Sequence, residues 1–206
     1  MAAPAEMTSG DLSGQYWMNK SLSDDTDDIL RLQGMSWWTR QAIRMATVYL
    51  TVRHYKDDNG VEHIDIDQVL TGGIGASNEY RTLDWTERPH DDKIFGSVLS
   101  MSRRTPIENV EREWLKKDWL PETLADGQVI NTIARTDPEK NGNKWSSEQT
   151  WGFEDIGGGK RYVRHVYFHG PGGEEINVRL VYDYSELCLH VCSVRSDQDS
   201  PLAGPV

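Results

Sequence analysis

At 206 residues the chain is long enough for one domain with a substantial core. Its 33 acidic side chains outnumber 22 basic ones, giving a formal net charge of −11, and no basic run supplies the phosphate neutralisation that nucleic acid or an anionic membrane surface demands. No stretch approaches a membrane span and the opening MAAPAEMTSG lacks signal-peptide features, so a cytoplasmic protein with no nucleic-acid or membrane partner is expected.

Residues 1–12 read as a flexible N-terminus, 13–195 as a single domain and 196–206 as a disordered tail. A short strand-like segment, Gln15–Lys20, runs into two short helical patterns. In Ser23–Gln33, Ser23 reads as the cap, Asp24, Asp25, Asp27 and Asp28 crowd the first turn, and Gly34 stops the helix. In Ser36–Ala46, Ser36 is the cap, Trp38, Ala42, Met45 and Ala46 share one face, and Arg40 and Arg44 take another. Both helices are too short to persist alone. Placed between the first two strands of a meander, they form no helical core, but they can cover the mouth of a closed sheet.

Thr47–Lys56 and Val61–Thr71 alternate across a hairpin turn at Asp57–Gly60, with Ile64, Ile66, Gln68 and Leu70 on one face of the second strand. Asn78–Trp85 and Lys93–Arg103 follow as strands. Pro106–Leu120 turns helical and charged and reads as an insertion, and a short strand is expected near Glu122–Leu124. Gln128–Thr136, Lys144–Phe153, Arg161–His169 and Glu175–Tyr184 complete a mainly β fold: about ten antiparallel strands forming a barrel with a two-helix lid.

These strands are dense in aromatic and hydrogen-bonding side chains. Trp145, Gln149, Trp151 and Phe153 share one parity. If the Gly170–Gly173 loop joins His169 to Glu174, His165 and Tyr167 lie on the interior face with Ile176, Val178 and Leu180. A different loop register exchanges them for Tyr162 and Arg164. Each of these residues also has an ordinary reading as core packing or solvated surface, and the predicted cavity favours the functional one. The only cysteines, Cys188 and Cys192, flank His190 without a second ligand pair, so reduced thiols and no metal are expected. Without a nucleophile–base pair, phosphate loop or dinucleotide fingerprint, no cofactor is expected either.

The stretch GQYWMNKSLSDDTDDILRLQGMSWWTRQAI resembles the opening Trp strand, acidic first helix, Gly turn and second helix of the fatty-acid-binding branch of the lipocalin-like barrels. That family often ends in an Arg-x-Tyr pair that grips a carboxylate. Here Arg179-Leu180-Val181-Tyr182 is one residue too wide to put both groups on one strand face. In length and element order the chain also resembles the lipocalin-like pericyclases of fungal biosynthesis, among them the hetero-Diels–Alderases of tropolone sesquiterpenoids.

That second resemblance implies a cofactor-independent hetero-Diels–Alder union of a tropolone- or polyketide-type precursor with a terpene alkene, after dehydration to a quinone-methide diene. A folded pocket promotes such a reaction by orientation and a few hydrogen bonds. On this reading His165 and Tyr167 are the catalytic candidates. Tyr49, Trp145 and Trp151 stack on the flat partner, Ile64, Ile66 and Leu180 shield the apolar one, and Gln68, Gln149 and Tyr182 complete the binding set. The alternatives are a non-catalytic carrier of a fatty acid or other hydrophobic metabolite, and an interaction protein with a filled barrel, suggested by Trp37-Trp38.

Overall fold

A computed structural model describes residues 1–73, 75–92, 96–140 and 142–185. Cys188, His190, Cys192 and the expected tail at 196–206 lie outside the described residues. Ten strands form one antiparallel sheet: β1 (Gly14–Met18), β2 (Val48–Lys56), β3 (Glu62–Leu70), β4 (Gly75–Thr82), β5 (Arg88–Asp92), β6 (Gly96–Pro106), β7 (Gln128–Thr136), β8 (Ser146–Asp155), β9 (Lys160–His169) and β10 (Glu175–Ser185). The spatial order is β4-β3-β2-β1-β10-β9-β8-β7-β6-β5, so the first and last strands are neighbours at the centre.

Strand twist curls this ribbon into a barrel whose β4 and β5 edges are not hydrogen-bonded to each other. The two ends nonetheless meet. Asp84, just after β4, forms an isolated bridge with Arg103 of β6, and Arg104 of β6 makes a bidentate pair with Glu62 of β3.

One end of the barrel is filled. Tyr16, Leu50, Ile64, Ile66, Trp151, Phe153 and Tyr162 are buried there as one cluster, and the N-terminal segment plugs the opening with Leu12. The Leu12 amide donates to His54 Nδ1 at 3.1 Å, so the imidazole proton sits on Nε2, which donates to Glu62 at 2.7 Å. Burial raises the Glu62 carboxyl, but the hydrogen bonds from His54 and Arg104 outweigh it and bring it from 4.5 to about 2. The stabilisation from this link is therefore present above pH 4.5 and is lost as pH falls towards about 2. In Glu62→Gln the fall in urea midpoint across that window should shrink; an unchanged acid limb would remove Glu62 from the account.

The lid comprises α1 (Asp27–Leu32) and α2 (Trp37–Met45). The first helix is shorter than expected because Ser23 does not cap it. Its hydroxyl accepts from the Val181 amide at 2.9 Å and donates to the Asn19 carbonyl at 2.8 Å, tying the connection to β10. Ser36 does cap α2, accepting from the Thr39 amide at 3.2 Å. Ser36→Ala should cost about 1 kcal/mol, seen as a lower thermal midpoint.

Of the face formed by Trp38, Ala42, Met45 and Ala46, only Ala46 is buried. Trp38 and Met45 are 77% and 88% exposed, while Arg40 turns in to pair with Asp27 of α1 at 2.8 Å and Ile43 packs on the core. The polar mouth of the barrel, rather than apolar surface, is what this helix covers.

The stretch expected as a helical insertion at 106–120 contains one short helix, α3 (Glu113–Lys116). It lies on the outer face of β8 and β9, burying Val110, Leu115 and Trp119 against Val163 and Val181. The strand expected near Glu122–Leu124 is instead a 3-10 turn, Pro121–Thr123, and the tenth strand is β5.

Candidate active site

Between the lid and the filled end lies a cavity of about 540 Å³. It is lined by the inward residues of most strands: Val48, Gln68, Leu70, Ser77, Glu79, Arg81, His90, Val98, Ala134, Trp145, Ser147, Gln149, Arg164, Leu180 and Tyr182, with Lys20, three aspartates, Arg40 and Arg44 at the mouth. A separate groove on the outer face, bordered by Trp17, Thr47 and Tyr49, is open to solvent and lacks an enclosing lid.

The polar centre of the cavity is built from β4 and β9, two strands far apart in the sheet that meet across the barrel. Alternation along β4 puts Ser77, Glu79 and Arg81 on its inner face, and alternation along β9 does the same for Tyr162 and Arg164. Glu79 carries both guanidiniums, one on each oxygen: Arg164 Nη1 at 3.5 Å from Oε1 and Arg81 Nη2 at 3.2 Å from Oε2. Arg164 is further held by donating Nε to the Tyr162 hydroxyl at 3.0 Å, and its guanidinium lies 4.2 Å from the centre of the Trp151 ring. Burial pushes the Glu79 carboxyl up, yet Arg164 and then Arg81 outweigh it and hold it below its ordinary value. Burial likewise raises the Tyr182 phenol, which stays protonated as a donor.

Several donors are left over. Among the described residues, Arg164 Nη2 and Arg81 Nε have no hydrogen-bond partner. Gln149 accepts from the Trp151 indole at 3.0 Å through its carbonyl oxygen, which fixes the amide so that its N–H groups are not used in that bond. Such a cluster in a largely apolar chamber can polarise a carbonyl or steady a developing oxyanion.

Of the residues expected at the site, Gln68, Trp145, Gln149, Leu180 and Tyr182 border the cavity. Ile64, Ile66 and Trp151 point inward too but belong to the filled end beneath it. Tyr49 corrects the expectation: it is 42% exposed on the outer face, because its inward neighbours on β2 are Val48 and Leu50.

His165 and Tyr167 are also corrected. The loop after β9 closes with Gly170 donating to Glu174 and His169 opposite Glu175, one residue beyond the His169–Glu174 register. That single step turns His165 and Tyr167 outward and brings Tyr162 and Arg164 in. His165 lies between the rings of Trp114 and Trp119, with centroids 4.8 and 4.4 Å away, and its Nε2 sits against the Glu154 carboxyl group. Tyr167 sits beneath the Arg112 guanidinium at 3.4 Å. Neither borders the cavity.

Glu79 and Arg81 were missed because charged strand residues read as solvated surface, while Arg164 faced inward only in the alternative loop register. The available signal was the Glu79–Arg81 spacing, two residues apart and hence on one face.

Fold and site together define a barrel with a two-helix lid over a cavity that has a charged centre. Two curated proteins align with nearly the whole chain. The probable pericyclase scpY of Mollisia scopiformis is 30% identical over 185 residues, covering 89% of this chain and 94% of that protein. The pericyclase pydY of an Acremonium species is 24% identical over 187 residues, covering 89% and 97%. The chain belongs to this pericyclase family. No family model matches it. Among solved structures, a point mutant of the REP1-NXSQ fatty acid transporter aligns at 10% identity and the wild-type fluorescent protein UnaG at 11%. Both have a TM-score of 0.48 and cover 84% of this chain, with 98% and 97% of their own chains covered.

Proposed function

We propose that the chain is a cofactor-independent hetero-Diels–Alderase of fungal secondary metabolism. It joins a tropolone- or polyketide-type precursor, after loss of water to a quinone-methide diene, to a terpene alkene. The observation that carries this reading is the Glu79–Arg81–Arg164 cluster set inside an otherwise largely apolar, lidded cavity. A cycloaddition exchanges no proton with the protein, so the site's work is to hold two fragments in near-attack geometry and draw electron density from one of them.

In this scheme the oxygen functions of the flat precursor face Arg164, Arg81 and Gln149. Trp145, Leu180, Val98 and Leu70 enclose the hydrocarbon partner. In the dehydration, the ring hydroxyl gives its proton to solvent as the precursor binds, the hydroxymethyl C–O bond then breaks, and the departing hydroxide takes up a proton from solvent on leaving the cavity, so a single water is released. The protein's donors lower the cost of the charge on both oxygens without entering the bond changes. The lid pair Asp27–Arg40 shuts the mouth against bulk water.

The test is to incubate purified protein with the two precursors and compare yield and enantiomeric ratio with buffer. Faster formation of one enantiomer is expected. A racemic product at the buffer rate would leave the carrier of a hydrophobic metabolite as the better reading.

A further inference from the structure

Building on the pericyclase reading, we infer that the oxygenated partner is bound as its conjugate base, in a seat for one delocalised, conjugated organic oxyanion formed by Arg81 and Arg164.

The inference starts from charge. At the mouth, Asp24, Asp25 and Asp27 are matched in number by Lys20, Arg40 and Arg44. In the deep cluster a single carboxylate, Glu79, serves two guanidiniums through its two oxygens. The Asp, Glu, Lys and Arg side chains of the lining leave one excess positive charge, and it lies at the deep cluster. Arg164 has only 5% of its side chain exposed and Arg81 14%, so this charge is largely withdrawn from water. A buried cation is stabilised by an anion close by.

Donor geometry says what kind of anion. Glu79 takes up Arg164 Nη1 and Arg81 Nη2, leaving Arg164 Nη2 and Arg81 Nε unpartnered and buried. Two open donors from two guanidiniums on neighbouring sides of one carboxylate suit an anion whose charge is spread over more than one oxygen. Trp145, which borders the same cavity, supplies an indole for a planar conjugated ring to pack on. Tropolonate is a simple example of this chemistry.

Calorimetric titration of the full chain tests it with tropolone and its neutral methyl ether, 2-methoxytropone, on either side of tropolone's own ionisation. Decanoate and decanol serve as the carboxylate arm. Tropolonate should bind about tenfold or more tighter than the ether, the size of a charge-assisted hydrogen bond, and the preference should vanish where tropolone is protonated. Arg81→Gln, which removes the excess cation and keeps the Arg164–Glu79 pair, should erase the preference. Glu79→Gln, which frees a second cation, should enlarge it.

Equal binding of anion and ether, or a Glu79→Gln variant that binds tropolonate more weakly, would overturn the inference. So would a decanoate-over-decanol preference with none for tropolonate, which would assign the seat to a fatty carboxylate. Turnover of the two precursors without any anion preference defeats this inference and leaves the pericyclase reading standing. An anion preference without turnover does the reverse.

Discussion

Replacing Arg164 with glutamine should slow ring formation about a hundred- to a thousandfold, the loss that follows removal of one preorganised donor worth about 2.7–4 kcal/mol in the transition state. Arg164 is the residue on which the site converges: it meets Glu79, the Tyr162 hydroxyl and the Trp151 face, and has one donor open. Glu79 keeps Arg81 as its partner in this variant, so the fold should hold, and urea denaturation checks that it does while initial rates and the enantiomeric ratio fall. A folded variant that turns over at the parental rate would remove Arg164 from the mechanism.

Trp119→Ala should destabilise the fold by about 3–5 kcal/mol and leave the rate per folded molecule unchanged. Trp119 is 8% exposed, donates to the Leu115 carbonyl at 2.9 Å and lies against His165. It packs so closely on β8 that a Cβ on Gly152 would come within 2.8 Å of its ring, so glycine is required beneath it. Losing the indole leaves a large void over the buried side chains of His165 and Glu154, which then meet water. The urea midpoint measures the loss. If folded Trp119→Ala also lost stereocontrol, the outer face would have to be counted as part of the site.

Much of this architecture could be read from residue pattern. Val48, Leu50 and Val52 alternating with polar neighbours, then Asp57-Asp58-Asn59-Gly60, define β2, the turn and β3. The turn forms with Asp57 accepting from the Asn59 and Val61 amides. Two short helices over a sheet mouth were equally legible, as was the inward parity of Trp145, Gln149 and Trp151.

What escaped was whatever depended on one-residue phase or on partners distant in sequence. The loop after His169 closes one residue later than its glycines suggest, and that alone moves Arg164 into the cavity and His165 out of it. The strand β5 was hidden by Pro89, which lowers strand propensity but is tolerated at a sheet edge. The orientation of α2 followed from Asp27 drawing Arg40 inward, a contact between helices that periodicity within either one does not reveal.

The pairing of β1 with β10 has a consequence for how the molecule is made. Gln15 lies opposite Ser185, so the central seam joins residues separated by most of the chain. During synthesis, the β1–β4 meander and its two helices emerge early, but one edge of β1 lacks its partner until nearly the whole chain has left the ribosome. The β5–β9 ribbon emerges next, and β10 joins the two halves into one sheet. Such long-range closure is slow relative to local pairing, so the last-made strand sets the pace at which the chamber is completed.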